Sequence, residues 1–68
     1  MEQKLRITGR ERDVICLLAN GWSNKQIGQQ LGISNYTVRD HVSSMIRKLN
    51  VASRVELAVL AVAMKDEW

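Results

Sequence analysis

SNKQIGQQLGISNYTVRDHVSSMIRKL, running from Ser23 to Leu49, decides how this chain folds. Its apolar residues Ile27, Leu31, Ile33, Val38, Val42, Ile46 and Leu49 fall three or four apart, except where the chain jumps across one break. That is helical periodicity interrupted once. The break sits at Gly32, where a chain can leave a helix in a left-handed conformation that only glycine adopts without cost. Ser34 then offers a side-chain oxygen to cap a second helix. The spacing predicts one helix over about 24–31, a three-residue turn, and a second helix over about 35–49. Two helices joined this tightly have the form of a helix-turn-helix, whose second helix suits the major groove of DNA.

Working outward, Thr8-Gly9-Arg10-Glu11 reads as a capping box with Ile7 as its hydrophobic staple. It opens a helix that carries Val14, Ile15, Leu17 and Leu18 toward a core and ends at Asn20-Gly21. Ser23 and Gln26 form a second box, and Ser53 and Glu56 a third, which opens a fourth helix to about Met64. Gly28 lies inside the second helix, where it costs about 1 kcal/mol relative to alanine. The expected compensation is close approach of the third helix, which a side chain at this position would block. Residues 1–6 read as a loose N-terminal arm and 7–64 as one all-α, four-helix domain, with the helix-turn-helix at about 24–43 and the last helix at about 54–64.

Composition sets bounds on function. At 68 residues the chain is one small domain, and without phenylalanine its core must be aliphatic. The net charge is +3. Between Val14 and Arg54 the charged residues are Lys25, Arg39, Arg47, Lys48 and Arg54 against a single acid, Asp40. A basic middle favours an acidic partner. One cysteine excludes an internal disulfide and a cysteine-rich zinc site, one histidine cannot make a metal site, and no cofactor is expected. Cys16 is expected at the core or its boundary. No carboxylate pair, nucleophile with base or phosphate loop suggests an enzyme. The polar start Met1 to Arg12 is no signal peptide, and no apolar run spans a bilayer, so a soluble cytoplasmic protein without membrane contact is expected.

The fourth helix is apolar all round from Leu57 to Met64. On a helical wheel Leu57, Ala58, Ala61 and Met64 share one side, while Val55, Val59 and Val62 form a second stripe. A domain this small cannot bury both, so one stripe is expected on the core and the other on a partner. In the third helix Val38, Val42 and Ile46 would face inward and Arg39, Asp40 and Ser43 outward. Arginine suits bidentate contact with guanine, aspartate accepts from cytosine, and serine serves either role. Arg47 and Lys48 suit phosphates, as do Asn24 and Lys25 at the start of the second helix. His41 packs at the helix edge or bonds a phosphate. Trp22 stays open between exposure and covering a turn.

These residues resemble the LuxR/GerE-type DNA-binding domain. The matching pieces are T-x-R-E at Thr8 to Glu11, G-x-S-N-K-x-I at Gly21 to Ile27, I-S-x-x-T-V-R-x-H at Ile33 to His41, K-L-x-V at Lys48 to Val51, and R-x-E-L-A at Arg54 to Ala58. The likeness covers about residues 7–63. It implies a bacterial transcription regulator that binds double-stranded DNA as a homodimer through its last helix. It aligns Arg39, Asp40 and Ser43 with base-reading positions. It aligns Asn24, Lys25, Thr37, His41, Arg47 and Lys48 with backbone contacts, and Val55, Val59 and Val62 with the dimer face. Gly28 departs from the family's usual alanine, and Asp40 puts an acid where neutral or basic residues are usual. Most members carry a receiver or ligand-binding domain ahead of this one, so the expectation is either a stand-alone regulator or the C-terminal domain of one. The rival reading is a protein-interaction module resembling region 4 of sigma factors, with RNA polymerase contact and an apolar fourth helix bound to a different protein.

Overall fold

The computed structural model describes residues 7–64, and the expected N-terminal arm, 1–6, lies outside them. Four helices follow one another: α1 Gly9–Ala19, α2 Asn24–Leu31, α3 Asn35–Leu49 and α4 Arg54–Ala63. No strand occurs among the described residues. The all-α, four-helix expectation holds.

Each helix starts where the sequence carries a cap. At α1 the Thr8 hydroxyl accepts from the Glu11 amide at 3.1 Å, and Glu11 Oε1 accepts from the Thr8 amide at 3.0 Å. Ser23 and Gln26 repeat this reciprocity at α2, at 3.1 and 2.9 Å. Ser34 Oγ accepts from the Thr37 amide to start α3. The box expected at α4 is only half made. Ser53 Oγ accepts from the Glu56 amide, but Glu56 Oε1 reaches past Ser53 to the Ala52 amide at 2.8 Å. The serine pairs an amide that the helix leaves open, while the glutamate pairs one in the loop just before the cap. Three helices are left through left-handed residues, α1 through Gly21 at φ 86°, α2 through Gly32 at φ 72° and α3 through Asn50 at φ 55°. Asparagine is among the few side chains that tolerate this region.

α1 packs against each of the other three helices. The core takes Val14, Ile15 and Leu18 from α1, Ile27 from α2, Val38, Val42 and Met45 from α3, and Leu57 and Ala61 from α4. Met45 is fully buried although the apolar spacing pointed to Ile46, which is only half-buried at the core's edge. The inward face of α3 is therefore centred one residue earlier in its later turns. Cys16 is exposed rather than at the core. Its neighbours Val14, Ile15 and Leu18 already fill α1's inner face, and position 16 points away from them.

Gly28 explains how α2 and α3 come so close. A Cβ at this position would lie 2.6 Å from the Ile33 carbonyl oxygen and 3.5 Å from the Asn35 amide. The turn's own backbone thus fills the space a side chain would need. The Gly28 carbonyl in turn accepts from the Ile33 amide at 3.0 Å. The helical cost of glycine is met by this close approach, and the turn fixes where α3 points.

Candidate nucleic-acid interface

With Val38, Val42 and Met45 committed to the core, the other side of α3 carries Tyr36, Arg39, Asp40, Ser43 and Arg47, all exposed. Helical spacing gathers them onto one outward side. The Arg39 guanidinium carbon lies 5.4 Å from the centre of the Tyr36 ring, one turn away. The three residues expected to read bases, Arg39, Asp40 and Ser43, are therefore all on the solvent side of one helix.

The residues expected at phosphates fall on the flanks and differ among themselves. Lys25 and Arg47 are exposed. Thr37 is exposed, with its hydroxyl 3.0 Å from that of Ser34. His41 is half-buried beside α3's inner face, which matches packing at the helix edge. The Asn24 side-chain oxygen accepts from the Arg54 guanidinium, which also donates to the Trp22 carbonyl at 3.0 Å. Arg54 thus ties the first turn of α4 to the first turn of α2. Both of its acceptors are uncharged. Trp22 is half-buried and packs against the core.

Lys48 is tied to α1. Its ammonium lies 2.7 Å from Glu11 Oε1, and the Ser44 hydroxyl donates to Glu11 Oε2 at 2.8 Å. Glu11 is 4 % exposed, and it also accepts from the Thr8 amide. Burial alone would push this carboxyl up. The hydrogen bond from Lys48, those from the Thr8 amide and Ser44, and the charge of Lys48 together overcome burial and hold it at about 2. One carboxylate therefore serves as cap partner for α1 and as the polar bolt between α1 and α3. A phosphate at Lys48 would share the ammonium with Glu11. The bolt was not readable from local spacing, because Glu11 lies 33 and 37 positions from its partners in α3. The Tyr36–Arg39 contact was readable, since residues three apart on a helix are neighbours.

On α4 the two stripes separate as the helical wheel requires. Leu57 and Ala61 are buried, Ala58 packs half-buried against the core, and Met64 is half-buried. Val55, Val59 and Val62 are 72, 64 and 52 % exposed. Among the described residues no cluster of metal-ligating side chains forms, and no helix is long and apolar enough to cross a membrane.

A short helix, a glycine turn and a longer helix with a polar outer face define a helix-turn-helix domain, here closed by a fourth helix. The chain belongs to the luxR family of bacterial regulatory proteins, whose family model matches residues 5–61. It is 48 % identical over 61 residues to the uncharacterized transcriptional regulatory protein YhcZ of Bacillus subtilis, covering 90 % of this chain and 28 % of that protein. It is 52 % identical over 54 residues to the nitrate/nitrite response regulator protein NarP of Escherichia coli, covering 79 % of this chain and 25 % of that one. The chain thus spans about a quarter of the length of these curated relatives. The solved structure of the transcription factor GerE superposes with a TM-score of 0.77 at 39 % identity, covering 94 % of both chains. Membership makes the chain a transcription-regulator helix-turn-helix domain and implies DNA binding.

Proposed function

We propose that this domain binds double-stranded DNA sequence-specifically, as a homodimer, with α3 in the major groove. The observation that carries the reading is the outward face of α3, which presents Arg39, Asp40 and Ser43 to solvent on a helix anchored by its opposite face. Arg39 reads guanine, Asp40 accepts from cytosine or excludes other bases, and Ser43 contacts the next position. Lys25, Thr37, His41 and Arg47 contact the sugar-phosphate backbone on either side. Asn24 and Lys48 assist from positions where Arg54 and Glu11 already hold them. Val55, Val59 and Val62 meet the same stripe on a second copy, in the isologous contact that a two-fold axis requires. The two α3 helices then address paired half-sites. The domain works within a cytoplasmic transcription regulator.

The same valine stripe also suits a second reading, in which α4 docks on a different protein such as RNA polymerase. Its exposure to 72 % at Val55 supports any apolar partner. Selection from a random duplex pool at several salt concentrations separates the two. An inverted-repeat site, bound tightly and weakened steeply by salt, is the expected result. Absence of any enriched site would overturn the dimeric DNA-binding reading and favour the protein partner.

A further inference from the structure

We propose that Tyr36 is a specificity-determining residue of α3, the platform that aims Arg39 at a guanine edge. The inference rests on the DNA-reading role given above to Arg39. Tyr36 is 67 % exposed, and among the described residues the other exposed large apolar side chains are the three valines of α4. The valines form a stripe on α4, whereas Tyr36 stands apart from them on the polar face of α3, where folding gives an aromatic ring nothing to bury.

What the ring does contact is Arg39, whose guanidinium carbon lies 5.4 Å from its centre. That is within the range of a cation–π attraction. The guanidinium is planar, and its N–H donors lie in that plane. The ring offers no hydrogen-bond acceptor in its plane for those donors, so they stay available to guanine, which is read by its O6 and N7 acceptors. A free arginine samples many rotamers, and ordering it on binding opposes affinity. The ring reduces that cost by holding the head group beforehand. Asp40, the neighbouring acid, does not compete: side chains at adjacent helix positions do not meet each other, and neither Arg39 nor Asp40 forms an ion pair among the described residues. Arg39 therefore enters the groove as a charged, preoriented donor, with Tyr36 setting its direction.

The test uses the 68-residue chain and the duplex site that it enriches from a random pool, together with all single-base variants of that site. Arg39→Ala first identifies the base pair whose preference it abolishes. Tyr36→Leu keeps an apolar side chain but removes the ring, and Tyr36→Phe keeps the ring but removes the hydroxyl. Tyr36→Leu is expected to reduce discrimination at the Arg39 base pair by about two- to fivefold, the size of an exposed cation–π contact. Tyr36→Phe is expected to retain it, and the salt slope should not change in either variant. Full discrimination in Tyr36→Leu, with a clear loss in Arg39→Ala, would overturn the platform and leave the DNA-reading role of Arg39 standing. Equal losses in the leucine and phenylalanine variants would assign the effect to the hydroxyl and overturn the ring contact. No selective loss in Arg39→Ala, or no enriched site at all, would overturn both readings together. Circular dichroism of each variant reports that the fold is kept, which the exposure of Tyr36 leads us to expect.

Discussion

α3 and α4 are built on the same plan and differ in what they leave outside. Each buries one face against α1: Val38, Val42 and Met45 from α3, and Leu57 and Ala61 from α4. On the outside α3 carries Arg39, Asp40, Ser43 and Arg47, whereas α4 carries Val55, Val59 and Val62. Water solvates the first face at little cost, so its exposure alone says nothing about a ligand. Water does not favour the second, where three valines in adjacent turns remain exposed. The case for a partner on α4 is therefore energetic. The case for DNA on α3 comes from the chemistry of its side chains and from the family to which the chain belongs.

The largest effect that can break this comparison lies on α4 itself. Leu57→Ala should destabilise the domain by about 2–5 kcal/mol, the usual range for a buried leucine. Val59→Ala, only two residues away, should change the stability of the free domain by less than about 0.5 kcal/mol. Urea unfolding of both variants measures the difference. Equal losses would mean that α4 has no outer face. Gly28→Val acts on the platform under α3. Its branched side chain cannot fit 2.6 Å from the Ile33 carbonyl, so the turn must open, at about 1–3 kcal/mol or more. A melting temperature unchanged from the parent chain would show that the turn yields freely and does not fix α3.

Next in size is the reading face. Arg39→Ala should lower discrimination at its base pair by about 1–3 kcal/mol, measured as the ratio of Kd values for the best site and its single-base variant. A uniform loss across all sequences would make Arg39 a phosphate contact. Smaller again is the bolt that holds α3 in place. Because the folded Glu11 carboxyl is more acidic than an unfolded one, its contribution is complete above about pH 4.3 and fades as pH falls toward 2. Lys48 is partly in water, with its side chain 32 % exposed, so the contribution is on the order of 1–2 kcal/mol. Glu11→Gln should remove that acid dependence and lower stability at neutral pH by the same amount. An identical stability-pH profile in the variant would mean that some other carboxylate carries the acid transition.

Most of this architecture was legible before any coordinates. Caps at Thr8, Ser23, Ser34 and Ser53 and the left-handed exit at Gly32 are encoded in a few adjacent residues, so local reading recovers them. The split of α4 into two stripes follows from helical geometry alone. What local reading missed depends on partners distant in sequence. Glu11 looks like a cap residue until α3 brings Ser44 and Lys48 to it. Arg54 matches a motif, and only the packed helices show it joined to Asn24 and the Trp22 carbonyl. Ile46 was expected inward where Met45 is buried, and Cys16 was expected at the core or its boundary, because a flexible thioether and a small thiol fit inside or outside a core and only the helix's rotation decides between them.

The smallest effect sharpens the contrast within α3 itself, between its early turns and its last. Arg47 is exposed, lies in the final turn, and sits four residues beyond Ser43 on the same side. If α3 lies in the groove with its early turns at the bases, its end runs out toward the backbone, where only the charge of a side chain matters. Arg47→Ala should then weaken binding to every duplex alike and make the dependence of log K on log salt shallower by about 1, the signature of one lost phosphate contact. The cost to folding should be only a few tenths of a kcal/mol, from losing a cation at a helix C-terminus. Lys48, its neighbour, would be a poorer probe of phosphate contact, because removing it also strips Glu11 of its counter-charge and mixes folding with binding. A loss in Arg47→Ala confined to one base variant would put the end of α3 against the bases and reverse the direction in which the helix is read, and an unchanged salt slope would take Arg47 off the DNA.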